Sequence, residues 1–233
     1  MKFIERENEI FKALKKLVET GLNFIVVGGY AVGGLARHRF SVDCDIVVQK
    51  KDLKKLEALL EKAGFTKRIE KAGFDKVYGG EFISYKKDVN NLPVTVDLLV
   101  DALVCRATEA AWGFDYIKKH SIATTISGIE ASVDCRVPEK ELLIALKIHS
   151  ARRADIRDIV MLRENADLEK ILKHLKRGNV RALRKQIVEI IKALDDPNLV
   201  DSLKGVFTVS TDVKKQIVNT RKDLGTIAKN VLR

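Results

Sequence analysis

Three aspartates form the pattern richest in chemistry. Asp43 and Asp45 are separated by one residue in Asp43-Cys44-Asp45-Ile46, and Asp97 lies further on in Val94-Thr95-Val96-Asp97-Leu98-Leu99. Residues two apart on a strand point to the same side, so Asp43 and Asp45 share a face while Cys44 turns the other way, toward the core. Two adjacent carboxylates repel each other unless a cation lies between them. Asp97, from another strand, adds a third hard oxygen donor, and such a set suits Mg²⁺ or Mn²⁺ and does not suit zinc.

The apolar run Phe24-Ile25-Val26-Val27 enters Gly28-Gly29, and thirteen residues, 30 to 42, then lead to Asp43. A strand that passes through a glycine pair into a helix lets the backbone approach a phosphate chain closely. It also presents unpaired N–H groups at the positive end of the helix dipole. Arg39 and Ser41 stand just before the carboxylates, where a guanidinium and a hydroxyl could grip phosphate oxygens; Arg39 as a solvated loop residue is the other reading. No lysine follows the glycines in the P-loop manner.

A lysine, Lys147, sits between Leu146 and Ile148 on an otherwise apolar helix face. It needs an anionic partner, and a triphosphate or a nearby aspartate would serve. Asp155 and Asp158 lie one helical turn apart on one face. A helix cap with an ion pair to Arg152 or Arg157 accounts for them as well as a substrate role does.

The elements that must hold these residues follow from periodicity. Residues 5–19 place Ile10, Phe11, Leu14, Leu17 and Val18 on one helical stripe ended by Gly21. Strands are expected at 24–27, 43–48, 66–70, 81–87 and 94–100, the last two joined as a hairpin through Asp88-Val89-Asn90-Asn91-Leu92-Pro93. A short helix is expected from the glycine pair to about Arg37, and a second over 53–63, capped by Asp52 and ended by Gly64. A helix over 108–119 and a hairpin of 122–126 with 129–136 complete an α/β half. From Pro138, read as a first helical turn, the pattern is helical over 139–153, 155–164, 168–177, 180–194 and from about 211.

Composition sets the frame. The 233 residues are 46% hydrophobic and 32% charged, the usage of a folded globular protein rather than a disordered or fibrous one. The apolar run from Phe24 to Tyr30 is too short to cross a bilayer, and Met1-Lys2-Phe3-Ile4-Glu5-Arg6-Glu7 does not resemble a signal peptide. Cys44, Cys105 and Cys135 are odd in number and lack a CxxC pair, which speaks against a disulfide framework or a zinc site and for the cytoplasm. The net charge of +11 favours anionic partners. Residues 166–233 hold 15 Lys and Arg against 8 Asp and Glu, either a nucleic-acid surface or solvated helix faces.

The order of these motifs resembles the polymerase-β superfamily of nucleotidyltransferases, whose pattern is hG[G/S], nine to thirteen residues, Dh[D/E]h, then a distant Asp on a strand. The resemblance covers roughly the first 100 residues. Arg39 and Ser41 match the family's R-x-[T/S]-x-D-x-D, and Gly29 stands where many relatives have Ser, leaving backbone amides alone to bind phosphate. The stretch 139–149 with Arg152-Arg153-Ala154-Asp155-Ile156-Arg157-Asp158 is similar to AbiEii-type nucleotidyltransferases, many of them toxins of toxin–antitoxin pairs. Lys147, Asp155 and Asp158 match that family's residues, while Ala154 replaces its usual Lys.

The resemblance implies an α/β (α+β) nucleotidyltransferase fold: a mixed β-sheet with flanking helices in residues 1–137, followed by an all-helical acceptor domain in 138–233. It implies transfer of a nucleoside monophosphate from a nucleoside triphosphate such as ATP to a hydroxyl, with release of pyrophosphate. Two Mg²⁺ ions, replaceable by Mn²⁺, would be held by Asp43, Asp45 and Asp97, and the nucleotide by Gly28, Gly29, Arg39, Ser41 and Lys147. The acceptor could be RNA, in particular tRNA, with a cognate antitoxin as partner; a protein or an aminoglycoside-like small molecule is the alternative. A catalytically idle RNA-binding relative is a further one.

Overall fold

The computed structural model describes residues 2–72, 80–207 and 212–231. The chain forms two compact units: one comprises residues 1–34, 38–104 and 112–138, the other 35–37, 105–111 and 139–233.

In the first unit, α1 (Lys2–Glu19) buries Ile10, Phe11, Leu14 and Leu17. β1 (Phe24–Val26) leads into α2 (Gly28–Leu35), and β2 (Asp43–Val48) returns beside β1 in antiparallel register. A 3-10 turn at Lys50–Asp52 precedes α3 (Leu53–Lys62), whose Leu53, Leu56 and Leu60 face inward. Asp52 makes no side-chain cap there, because it is taken up in the turn. β3 (Thr66–Ala72), β4 (Glu81–Val89) and β5 (Leu92–Val100) follow. β4 and β5 turn over Asn90 and Asn91, both at positive φ, the backbone of a tight two-residue hairpin.

The sheet order is β1-β2-β5-β4-β3, and only the β2–β5 pair within it is parallel. β2 and β5 lie side by side, with Cys44, Ile46 and Val48 of one and Val94, Val96, Leu98 and Val100 of the other in the core. Strand alternation therefore sends Asp43, Asp45 and Asp97 to the opposite face.

Beyond the sheet come β6 (Ala102–Cys105), β7 (Ala110–Gly113) and α4 (Phe114–Lys119). The helix expected over 108–119 is thus confined to its second half. Glu109 adopts a positive φ, Gly113 is extended, and Ala110 and Trp112 are buried at a spacing of two, which is strand periodicity. β8 (Ser121–Ser127) and β9 (Ser132–Pro138) form the expected hairpin. Pro138 ends β9 rather than opening a helix.

The second unit is helical in its main segment: α5 (Lys140–Ser150), α6 (Arg153–Leu162), α7 (Leu168–Leu175), α8 (Val180–Ala193), α9 (Leu199–Val206) and α10 (Val213–Val231). The start of the last helix, read at about residue 211, falls outside the described residues. α5 is the core helix, contacted by α6, α7 and α8 and buried from Leu142 through His149. Its His149 is pushed down to about 4 by burial, and so stays neutral, with Nδ1 2.7 Å from the Thr108 hydroxyl. α9 carries no sequence signal strong enough to read: it is short, contains Gly205 and buries only Leu199 and Leu203. The class expected from sequence, a mixed sheet with flanking helices followed by a helical C-terminal part, is the class observed.

Candidate active site

β2 and β5 run parallel with Asp45 opposite Asp97 and Asp43 opposite Thr95. The pairing sets the three carboxylates on one face of two neighbouring strands, about 4.8 Å apart. Two hydroxyls fix their orientation. Thr95 donates to Asp43 Oδ1 at 2.6 Å, and Ser84, which is the β4 register partner of Asp97, donates to Asp97 Oδ1 at 2.6 Å.

Asp97 is pushed up to about 6, first by burial and then by the charges of Asp45 and Asp43, against the hydrogen bond from Ser84 and the charge of Arg68. Mutual repulsion of this kind is what a bound cation relieves. Arg68 lies at the irregularity between Lys67 and Ile69 where the β3–β4 register shifts, and a bulge of this type re-aims a side chain. Cys44, between the two aspartates, is fully buried, and burial pushes its thiol well up, so it takes the core side.

The glycine pair meets this face. Val27 N–H donates to the Asp45 carbonyl at 2.9 Å, which lays the end of β1 against β2. Gly28 has φ +65°, and a Cβ there would overlap the Asp45 carboxylate, with its Cγ at 3.2 Å. A Cβ on Gly29 would come within 2.8 Å of Arg39 Nη2 and 3.0 Å of Ser41 Oγ. Backbone, carboxylate, guanidinium and hydroxyl are therefore in contact, and any side chain at 28 or 29 would force them apart. The contact lies at the N-terminus of α2, the helix end that favours anions.

The intervening loop is tied down. The Tyr30 hydroxyl donates to the Ser41 carbonyl at 3.1 Å, and the Ser41 hydroxyl donates to the Asp43 carbonyl at 3.1 Å. Burial pushes the Tyr30 phenol far up, so it stays protonated as a donor.

Of the residues singled out from sequence, Gly28, Gly29, Arg39, Ser41, Asp43, Asp45 and Asp97 come together in the first unit. Lys147 belongs to the second. Its ammonium lies 2.8 Å from Asp155 Oδ1 and 2.8 Å from Asp158 Oδ2, all three being almost wholly buried. Asp155 also accepts from Arg152 Nε at 2.8 Å and from the Arg152 N–H at 3.1 Å, which closes the first turn of α6. Burial pushes the Asp155 carboxyl up, but Lys147 and Arg152 outweigh it and hold it down near 2. The anionic partner that Lys147 requires is thus this aspartate pair. Arg157 donates to the Ser202 hydroxyl at 2.9 Å.

Sequence reasoning missed Ser84, Thr95 and Arg68. Thr95 had a signal, lying two residues before Asp97 and so on the same strand face. Ser84 and Arg68 had none, since only strand register brings them to Asp97.

No helix in the described residues is long and apolar enough to cross a membrane. No protein-family model and no curated protein matches the sequence. Among solved structures, JHP933 from Helicobacter pylori aligns at 18% identity and TM-score 0.45, covering 99% of this chain and 92% of that one. The antibiotic-resistance factor ANT(2'')-Ia aligns at 16% identity and TM-score 0.49, over 83% of this chain and 98% of that one. The lincosamide antibiotic adenylyltransferase LnuA aligns at 17% identity and TM-score 0.48, over 69% and 98%. Similarity of this order identifies no activity, and what the site can do follows from its own chemistry: three converging carboxylates facing a glycine turn, a guanidinium and a hydroxyl.

Proposed function

We propose that the chain is a nucleotidyltransferase of the polymerase-β superfamily, moving a nucleoside monophosphate from a nucleoside triphosphate to a hydroxyl acceptor. One observation carries the reading. The carboxylate face of β2–β5 and the Gly28–Gly29 turn are in van der Waals contact, which joins a cation-binding set to an anion-binding backbone.

Asp43, Asp45 and Asp97 fit divalent cations of the Mg²⁺ kind: they are hard oxygen donors, and burial together with the charges of Asp45 and Asp43 pushes Asp97 up to about 6. Such ions would neutralise the triphosphate and acidify the attacking hydroxyl. The chain's own residues do the rest. The amides of Gly28 and Gly29 and the side chains of Arg39 and Ser41 hold the triphosphate oxygens and aim the α-phosphorus. Ser84 holds Asp97 Oδ1, and the Asp97 carboxylate takes the acceptor's proton. The acceptor O–P bond forms as the bond to pyrophosphate breaks in line. Lys147, whose charge Asp155 and Asp158 neutralise, has no part at the triphosphate in this reading.

RNA is the acceptor we favour, because Arg181, Arg184 and Lys185 are exposed on the outer side of α8, opposite its buried Leu183, Ile187 and Ile190. A tRNA-directed toxin with a cognate antitoxin is the narrowest form of this idea, and arrested growth on expression would be its mark. The test is to incubate the protein and Mg²⁺ with each labelled nucleoside triphosphate, adding total RNA or whole-cell protein. Label in RNA with stoichiometric pyrophosphate is expected. Label in protein would move the acceptor, and nucleotide bound with no pyrophosphate released would reduce the chain to a binding module.

A further inference from the structure

Helix α1 sends a carboxylate under the candidate site. Glu7 is 1% exposed, with Oε1 2.6 Å from His38 Nε2 and Oε2 accepting the Ile129 N–H at 2.9 Å. With Oε2 taken up by the Ile129 N–H, the Glu7 carboxyl group meets the His38 ring through Oε1 and Nε2. The β8–β9 turn presses on the same group: a Cβ at Gly128 would come within 2.8 Å of Glu7 Cδ. A carboxylate this deeply buried is costly unless its oxygens are occupied, and the pairing therefore dictates where His38 must lie.

His38 immediately precedes Arg39, the guanidinium that covers Gly29. On the other side of Arg39, the Phe40 ring meets His38 edge-on at 5.2 Å and also packs on Phe3 of α1 at 5.8 Å. Both chain neighbours of Arg39 are thus attached to α1, one by a charge-assisted hydrogen bond and one by aromatic contact.

We propose that Glu7 and His38 are positioning residues that clamp the loop over residues 38–42, holding Arg39 and Ser41 above the Gly28–Gly29 turn for the triphosphate. The inference rests on the nucleotide reading of that turn. The clamp acts through Arg39 and touches no substrate itself. Its loss loosens the loop and weakens the nucleotide complex while the sheet and its carboxylates stay in place.

The test compares wild type with His38→Ala, His38→Gln, Arg39→Ala and the His38→Ala/Arg39→Ala double variant. Trypsin cleavage after Arg39 is followed in the nucleotide-free forms that keep Arg39, and Mg²⁺–ATP affinity is followed in all of them by calorimetry. His38→Ala should be cut about tenfold faster and bind about tenfold more weakly, the loss expected for one charge-assisted hydrogen bond. His38→Gln, which keeps an N–H donor, should recover most of both. The double variant should bind no more weakly than Arg39→Ala alone, because the clamp has nothing left to position. Should His38→Ala melt below the assay temperature, His38→Phe removes the donor and keeps the ring contact. Unchanged cleavage, or losses that simply multiply in the double variant, would overturn the clamp. Faster cleavage in a set where even wild type binds no Mg²⁺–ATP would instead strike down the nucleotide reading and leave the clamp as a fold-stabilising tie.

Discussion

Asp45 and Asp97 are register partners across the parallel β2–β5 pair, so strand pairing alone holds two carboxylates, distant in sequence, side by side. Asp43 shares their face and is oriented by Thr95.

If these carboxylates hold the metal, Asp45→Asn removes a ligand charge while keeping the shape of the side chain. Pyrophosphate release should fall by about a thousandfold or more, a transition-state loss on the order of 4 kcal/mol. The melting temperature should stay or rise, since one repelling charge is gone. Wild-type turnover in this variant would remove Asp45 from the chemistry.

Gly29→Val tests the cradle. Its branched side chain would push Arg39 and Ser41 away from the turn, which they now approach to within about 3 Å of a Cβ position. Mg²⁺–ATP affinity should drop at least tenfold, with the circular dichroism spectrum retained. Equal affinity in calorimetry would show that no phosphate comes near this backbone.

Asp97 gives the pH dependence. Burial and its acidic neighbours push it up from 3.8 to about 6. Between about pH 4 and 6 the folded chain therefore retains a proton that the unfolded chain has released, so this group makes stability fall as pH rises through that window. In metal-free buffer Asp97→Asn should be more stable than wild type at pH 7, with the gap closing toward pH 4. Mg²⁺ should narrow the gap at pH 7 by stabilising the ionised form. Urea midpoints that differ equally at both pH values would refute the shift. Ser84→Ala should raise the Asp97 pKa further, because it removes a hydrogen bond to the anion.

Lys147→Met removes the ammonium that Asp155 and Asp158 share in the interior. Breaking a buried pair on one side costs about 3–5 kcal/mol, a fall that urea unfolding would register directly. A small stability change accompanied by a large loss of ATP affinity would return Lys147 to the nucleotide.

If α8 carries RNA, Arg184→Ala with Lys185→Ala should lower the slope of log affinity against log salt by about one unit per lost phosphate contact. A flat salt dependence with unchanged acceptor KM would turn the search to protein or small-molecule acceptors.

The motif residues were legible in the sequence because each depends on short-range rules. A period of two puts Asp43 and Asp45 on one face and buries Cys44, and an apolar run into Gly28-Gly29 makes a strand–turn–helix. The amphipathic stripes of α1, α3 and α8 are equally local. Where local propensity and packing disagreed, packing prevailed. The Thr108–Gly113 stretch is rich in helix formers, yet it contains a strand because Ala110 and Trp112 are buried alternately. Pairings between distant segments had no local signature at all. Ser84 reaches Asp97, His38 reaches Glu7, and Lys147 reaches both Asp155 and Asp158 only after strand register and helix packing bring the partners within hydrogen-bond range. A polar side chain declares its acceptor by position in space, which the folded chain alone supplies.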